Sequence, residues 1–502
     1  MTSIPAKILS HARAGNPVRA WRLFGELGLL GVSDDIKTLT LKGRLLKDLA
    51  WRALGDERSA FMRRASEAYC AAHALKPDSY PLINAAALAL FAGDPAQSRE
   101  LALQVLQLIE GDPDEGETPY WREATRAEAL LLLDEPAEAD AALSVGIAAL
   151  PQAWEDHART IQQFEAIIDA QGGNAEWLDK HRPPCSVHFS GLIGLDPSAE
   201  GLRDTIDRTM VELKPGFAFG ALAAGADILI AEAACRAGAR LHITLPNSID
   251  QFRASSVEPF GADWVARYDT LIEQAERVDQ LWPDLEEQGY PLWVAIEMAT
   301  LVSMGQAIRN ADVLSSVAHA VTITAPGEKE RAPAELWQAS GKPFHWIETA
   351  RHSLGLSGDA SAVKVDDTIA MQGLIKLRGG GAADLENAVR SFDLSRVEGA
   401  DEAVFCGSPA NCLAAIEHFA SVGNDFAGAI LVTGGSDLPL LEAQLDQIIL
   451  LDRAAEAGQF LTNAESAMIA LLLKPDLCVE EFGEVTSLRG PIGLWLINPT
   501  MG

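Results

Sequence analysis

Gly216-Phe217-Ala218-Phe219-Gly220-Ala221-Leu222-Ala223-Ala224-Gly225-Ala226-Asp227 decides how the middle of this chain is read. Upstream lies a strand-like run, Ser186-Val187-His188-Phe189-Ser190-Gly191, and then a charged, helix-like segment. Downstream, Ile228-Leu229-Ile230-Ala231-Glu232-Ala233-Ala234-Cys235 reads as a buried helix. Gly238 then introduces a second strand, Leu241-His242-Ile243-Thr244-Leu245-Pro246. Strand, glycine-rich turn, small-residue helix and strand is the grammar of a parallel α/β fold. Small residues let the helix sit close to the sheet, and a glycine turn lets backbone N–H groups approach an anion at a helix start. Sites in such folds lie at the carboxyl ends of strands. Ser190, Gly191, Gly220, Gly225, Asp227 and Glu232 are therefore the candidate ligand-binding residues. Each has a plainer reading beside it. The glycines also suit tight helix–sheet packing, Asp227 also suits a helix cap, and Glu232 also suits an ordinary polar helix face.

Outward from this stretch the chain divides into three expected domains. Residues 1–180 read as helices with Ala-Leu-rich faces, punctuated at Gly93-Asp94-Pro95 and Gly111-Asp112-Pro113. Helices are expected at Ser59–Leu75, Ser79–Phe91, Pro95–Ile109, Trp121–Leu133 and Pro136–Leu150. Small residues at Ala85-Ala86-Ala87 and at Ala137, Ala141 and Ala142 fall where helix pairs would touch, the texture of a helical repeat solenoid. His181-Arg182-Pro183-Pro184 is a stiff junction. Residues 184–350 carry the α/β pattern, with later strands at Ala320–Thr324 and Phe344–Ile347 and helices around Ala295–Gln306 and Ala332–Ser340. A Ser-Gly-rich linker follows at Ser353–Ser361. Residues 362–502 alternate again, with strands at Thr368–Leu377, Ala403–Phe405, Ala429–Val432 and Leu494–Ile497. Helices are expected there at Ala382–Ser391, Asn411–Ser421, Leu438–Ala457 and Asn463–Leu472. Arg378-Gly379-Gly380-Gly381 reads as a flexible turn.

Composition narrows the function classes. The 502 residues include 71 acidic and 40 basic ones, a net charge of −31. Such a field repels phosphate backbones, so nucleic-acid binding is disfavoured. No apolar run reaches the ~20 residues of a membrane span, and the start lacks an apolar signal region. The chain is expected to be soluble and cytoplasmic. Its six cysteines (Cys70, Cys185, Cys235, Cys406, Cys412 and Cys478) lack metal-ligand spacing and read as reduced structural thiols. No metal site, cofactor or catalytic set is expected.

Three resemblances add to this. Leu41-Lys42-Gly43 with Lys47-Asp48, Tyr80-Pro81-Leu82-Ile83-Asn84-Ala85-Ala86, and Tyr120-Trp121-Arg122-Glu123-Ala124-Thr125 resemble a bacterial family of TRAFs-binding-domain or tetratricopeptide-repeat proteins. The last two, with Glu128-Ala129-Leu130-Leu131, also resemble the helical regulatory region of the apoptosis signal-regulating kinases, which implies a scaffold for protein partners. Ser190-Gly191, Gly220 to Asp227, Glu232, Leu245-Pro246, Phe252, Ser256-Val257 and Trp264 resemble the SLOG superfamily, Rossmannoid domains that sense or process nucleotide-derived ligands. Leu192 stands where that family has a histidine, and Ala325-Pro326-Gly327-Glu328-Lys329 where it has Gly-Gly-Thr. Residues 362–502 resemble class III nucleotide cyclases at Ala403–Phe405 with Ser408-Pro409, at Ala454–Thr462, and at Phe482–Val485 with Leu488-Arg489-Gly490. That resemblance implies two metal-binding aspartates. Asp401 falls near the second, but Ile369–Leu374 holds none, and Asp446 and Leu450 stand where asparagine and arginine would stabilise the transition state.

The expected architecture is a helical tetratricopeptide-like solenoid, then a SLOG-like Rossmannoid parallel sheet, then a cyclase-like α+β domain without catalysis. The expected function is intracellular signalling or regulation. The solenoid docks a protein partner, the SLOG-like domain senses a nucleotide-derived small molecule, and the third domain mediates regulation or homodimerisation. Two alternatives stand beside it. One is a nucleotide-processing enzyme using Glu232 or Asp227 as acid/base or ribose-binding groups. The other is a scaffold with no small ligand.

Overall fold

The computed structural model describes residues 8–9, 11–12, 16–111, 118–195, 200–283, 291–327, 332–350, 371–379, 385, 389–398, 400, 402–422, 426–434, 442–487 and 490–498. The chain falls into two compact units. The first is Met1–Pro183 with Val313–Ser315, and the second is Pro184–Asp312 with Ser316–Gly502.

The first unit is helical. Its helices are α1 (Pro17–Glu26), α2 (Ile36–Ala50), α3 (Gly55–Leu75), α4 (Ser79–Phe91), α5 (Pro95–Gly111), α6 (Pro119–Leu132), α7 (Pro136–Ala149) and α8 (Trp154–Gln171). The punctuation seen in the sequence sets their ends. Gly93 adopts φ +86°, and Asp94 then accepts from the Gln97 amide to start α5. Asp78 and Thr118 likewise accept from the amides of Tyr80 and Trp121. Helices α2 and α3, α4 and α5, and α6 and α7 pack as consecutive pairs, while α4, α6 and α8 touch one another. Ala85, Ala86 and Ala87 are buried at these contacts. Ala142 is buried together with Ala139, whereas Ala137 and Ala141 face solvent on the opposite face of α7.

The second unit holds two sheets. In the first, β1 (Ser186–Gly191), β2 (Phe217–Gly220), β3 (Arg240–Leu245), β4 (Arg277–Gln280), β5 (Ala318–Thr324) and β6 (Phe344–Glu348) lie in the order β4-β3-β2-β1-β5-β6. Every pairing in it is parallel. The strand order reverses between β1 and β5. One face carries α9 (Glu200–Leu213), α10 (Ala226–Arg236), α11 (Ile249–Ser256) and α12 (Ala262–Gln274) over a core that includes Val187, Phe189, Ile228, Ile230, Val321 and Ile323. Two of these strands depart from the reading of the sequence. Phe217–Gly220 is β2 rather than part of a turn, a four-residue strand flanked by glycines. Arg277–Gln280 is an edge strand whose polar side chains hide it from any apolar pattern.

The second sheet is mixed. Its strands β7 (Met371–Arg378), β8 (Ser395–Arg396), β9 (Phe405–Gly407), β10 (Ala427–Gly434), β11 (Phe460–Thr462), β12 (Cys478–Ser487) and β13 (Gly490–Asn498) lie in the order β12-β13-β11-β10-β7-β9-β8. Only β10 and β11 run parallel. Strand β10 is buried along its whole length. The accompanying helices are α15 (Pro409–Val422), α16 (Glu442–Ala454) and α17 (Ala464–Leu473). In the middle of β7, buried Lys376 pairs with Asp452 at 3.2 Å and Glu402 at 3.0 Å. Arg378 holds the same Asp452 and donates to the Ala455 carbonyl, so the start of the predicted flexible turn is already engaged. At the sheet edge, β12 carries Glu480, Glu481 and Glu484, with a bulge between Glu481 and Gly483, where Gly483 adopts φ +147°. Asp401, Asp366, Asp367, Gly380, Gly381, the Ser353–Ser361 linker and most of Ala382–Ser391 lie outside the described residues.

Helix α13 (Leu292–Val313) serves both sheets; α14 (Ala332–Ala339) follows β5. Ser303, Gln306 and Asn310, three and four residues apart, face the parallel sheet. Ser303 Oγ meets His188 Nδ1 at 3.0 Å, Gln306 Oε1 accepts from Thr244 at 2.8 Å, and Asn310 donates to Ser186 at 2.9 Å. Val294, Met298, Gly305 and Arg309 lie on the opposite side. Val294 and Met298 approach Gly434, and the Arg309 guanidinium covers the Trp495 ring at 4.6 Å. A Cβ at Gly305 would run into the Met468 carbonyl of α17.

Gly305→Ala is expected to destabilise the protein by about 1–3 kcal/mol through overpacking, despite the better helix propensity of alanine. Gly201→Ala, where a Cβ meets nothing within 4 Å, is the control and should leave stability equal or higher. Thermal unfolding of the two variants decides it. Equal melting temperatures would mean that α13 is not clamped between the sheets.

Candidate functional site

The carboxyl ends of β1 and β5 meet where the strand order reverses, the place at which open α/β sheets leave a crevice. Ser190 Oγ and Thr322 Oγ1 lie 3.1 Å apart across these two strands. The next residue, Gly191, packs against β5 and α10. A Cβ there would lie 2.6 Å from both the Ala226 Cβ and the Ile323 carbonyl oxygen. Leu192 continues β1 into a loop, and its carbonyl accepts from the Ala226 amide at 2.9 Å.

Asp227 sits in the first turn of α10 and is 8% exposed. It does not occupy the cap position, which belongs to Gly225. Its carboxylate instead reaches back to accept from the Ala223 amide at 3.1 Å and from the Gly191 amide. The side chain thus ties the β1 end to the segment that follows β2. Burial pushes its carboxyl up to about 7, and the two backbone amides only partly offset that cost.

Gly225 has φ +131°, a conformation that needs glycine, and a Cβ there would lie 2.5 Å from the Leu192 carbonyl oxygen and close to the amides of Gly194 and Leu195. Gly220 ends β2 against the ring and carbonyl of Phe189. Backbone and ring atoms of the protein therefore crowd the Cβ positions of Gly191, Gly220 and Gly225. Ser190, Gly191, Gly225 and Asp227 come together around the β1 end, and Gly220 stands one strand away at the β2 end.

Glu232 stands apart from them. It points from α10 to α12 and holds Arg267 with two bonds of 2.7 Å, Nε to Oε1 and Nη2 to Oε2. That guanidinium also lies 4.4 Å over buried Trp264. Glu232 lines a shallow cavity of about 470 Å³ with Cys235, Arg236, Arg267, Thr270 and Gln274. Its partner is thirty-five residues away in sequence, which no local pattern announces.

Two further oxygens lie at the strand ends. Thr324 Oγ1 ends β5, and Asn247 Oδ1 follows β3; both are buried and lack a hydrogen-bond partner among the described residues. The Thr-x-Thr ending of β5 was the available signal. His188, on β1, is buried with its ring stacked on Trp337, and burial pushes it down to about 3. Among the described residues no group of His, Cys, Asp and Glu side chains has metal-binding geometry. No helix among them is long and apolar enough to cross a membrane.

A family model described as Tetratricopeptide Repeats-Sensor matches residues 6–89, which contain α1, α2, α3 and most of α4. The N-terminal helices are thus tetratricopeptide-like, and the match points to a sensor role in signalling or regulation. A search of curated proteins returned no match.

Asp227 binds its proton more tightly folded than unfolded, where its value is near 3.8. Between about pH 4 and pH 7 the folded protein therefore holds more protons, and this residue makes stability fall as pH rises. Asp227→Asn should remove that slope. Its stability relative to the parent should climb from pH 4 to pH 7, measured by urea unfolding. A pH-independent difference would show that the carboxyl titrates normally.

Proposed function

We propose that the chain is a signalling or regulatory protein whose helical unit docks a protein partner. Its parallel sheet acts as a SLOG-like, Rossmannoid sensor for a nucleotide-derived small molecule at the β1 and β5 ends. The observation that carries this reading is the convergence of Ser190, Gly191 and buried Asp227 at the strand-order reversal, with the Thr324 hydroxyl, which has no hydrogen-bond partner among the described residues, on the neighbouring strand end. The crowded glycines let β1, β2, β5 and α10 approach closely, which fixes the geometry of the strand ends around the site. The mixed sheet is proposed as a cyclase-like domain without catalysis. In it the interior strand β7 presents Lys376 to Asp452 and Glu402, and Met371–Arg378 contains no aspartate.

Asp227 also supports the enzyme reading. A carboxyl near 7 is poised to give and take protons at neutral pH.

Thermal unfolding of the full chain against a panel of mono- and dinucleotides tests the sensor. One compound should stabilise it, by roughly 2.7 kcal/mol at a hundredfold excess over its dissociation constant. Asp227→Asn should lose most of that response while unfolding cooperatively alone. Chromatography of the same mixtures should recover the nucleotide intact; Asp227-dependent cleavage would favour the enzyme. Silence across the panel would leave the scaffold. With Mg²⁺ or Mn²⁺ and ATP or GTP, no cyclic nucleotide should form, because each missing electrostatic group typically costs ~10²–10³ in rate.

A further inference from the structure

Charge is spread unevenly along this chain. Residues 1–76 hold 13 lysines and arginines against 7 aspartates and glutamates, a net of +6 inside a chain of −31. That stretch contains α1, α2 and α3. In the rest of the helical unit the arginines are occupied. Arg122, Arg126, Arg159 and Arg182 each pair with a carboxylate, and Arg99 donates to the Leu133 carbonyl. On α3 they are not. The guanidinium groups of Arg58 and Arg64 have no hydrogen bond or ion pair among the described residues.

Both guanidinium groups are nevertheless held in place. That of Arg58 lies 4.7 Å over the Trp51 ring at the end of α2. That of Arg64 lies 5.6 Å over Phe61 and 5.8 Å over Trp21 of α1. Stacking on a ring fixes the plane of a guanidinium and leaves its N–H edge without an acceptor. Arg58, Phe61 and Arg64 follow one another at intervals of three, a single slanting row on α3. Leu54, 80% exposed, stands at the head of the row, and exposed Trp51 lies beside it with its edge toward Phe91 at 5.5 Å. Cation and apolar side chain thus alternate along one exposed surface. Tryptophan and arginine are the residue types that carry most binding energy where proteins meet.

We propose that this row on α3, with Trp51 and Trp21 beside it, is where the helical unit takes its protein partner, and that the partner presents a short segment in which Asp and Glu alternate with bulky apolar residues. Carboxylates of that segment accept from the N–H edges of Arg58 and Arg64, and its apolar side chains cover Leu54 and Trp51. The two arginines start about 9 Å apart along the helix, within reach of two acidic side chains on one segment. A long polyanion does not suit the surface, because the rest of the chain carries −37. A short segment escapes that field, which salt screens beyond about 8 Å under physiological conditions. The surface gives the docking role of the helical unit, on which it rests, a place and a partner chemistry.

Short random peptides displayed on phage and selected on the full chain at physiological salt supply the probe. Enriched peptides should be rich in Asp and Glu and carry at least one bulky apolar residue. Their synthetic, fluorescent forms should bind the double variant Arg58→Ala, Arg64→Ala at least tenfold more weakly, read by anisotropy. Arg159→Ala removes the same charge from an exposed place on the same unit and should bind like the parent. Arg58→Lys with Arg64→Lys keeps the charge and loses the planar fork; it should bind at least threefold more weakly, and it decides the matter if the alanine variant does not unfold cooperatively. The proposal is overturned if the enriched peptides lack an acidic excess, or if Arg159→Ala weakens binding as much as the double variant does. It is also overturned if a DNA duplex or phosphatidylserine vesicles bind through Arg58 and Arg64 more tightly than any peptide. Peptides that ignore both arginines and crosslink to other helices of the unit would overturn this surface and leave the docking role standing. Peptides that crosslink only to the second unit, or no enriched peptide at all, would sink both.

Discussion

Helix α13 is the constraint on which the second unit depends. A sheet must cover both faces, and here one helix covers part of two sheets at once. Its sequence permits this because two rows of side chains, spaced three and four apart, differ in chemistry. The row Ser303, Gln306 and Asn310 answers polar groups on the parallel strands. The row Val294, Met298, Gly305 and Arg309 answers the mixed sheet, with Gly305 allowing backbone to approach backbone. A helix used on both sides has no solvent stripe along most of its length, and α13 is accordingly buried at twelve positions.

Much of this was legible in the chain. The α-helical region announced itself through Gly-Asp-Pro stops and alanine-rich faces, because glycine and proline act locally and need no tertiary partner. Strands β1, β3 and β5 showed as β-branched apolar runs. What stayed hidden depended on distant partners. Phe217–Gly220 becomes a strand only because β1 and β3 flank it. Arg277–Gln280 pairs at an edge with polar side chains. The double role of α13 could not be seen from one helix, whose apolar content reads the same whether one or two surfaces cover it.

The site was legible in part for the same reason. Ser190, Gly191, Gly225 and Asp227 gather at one strand end because chain-local geometry brings them there. Glu232 is near them in sequence, but five residues along a helix is more than a full turn, and its carboxylate meets Arg267 in the helical layer instead. Thr322, the partner of Ser190, and Thr324, whose hydroxyl lacks a partner among the described residues, come from β5, more than a hundred and thirty residues later.

The exposed border of the longer sheet has a consequence for how copies of this protein meet. A strand at a sheet edge offers unpaired amides and carbonyls to any passing strand, the first step towards fibrils. Strand β12 counters this with three glutamates and a glycine bulge that breaks its regular pleat. A neighbouring copy laid alongside would set carboxylate against carboxylate on a chain that already carries a net charge of −31. The opposite border, β8, is two residues long and offers little to pair with. Edge-to-edge pairing of two copies is therefore resisted at both described borders of the mixed sheet.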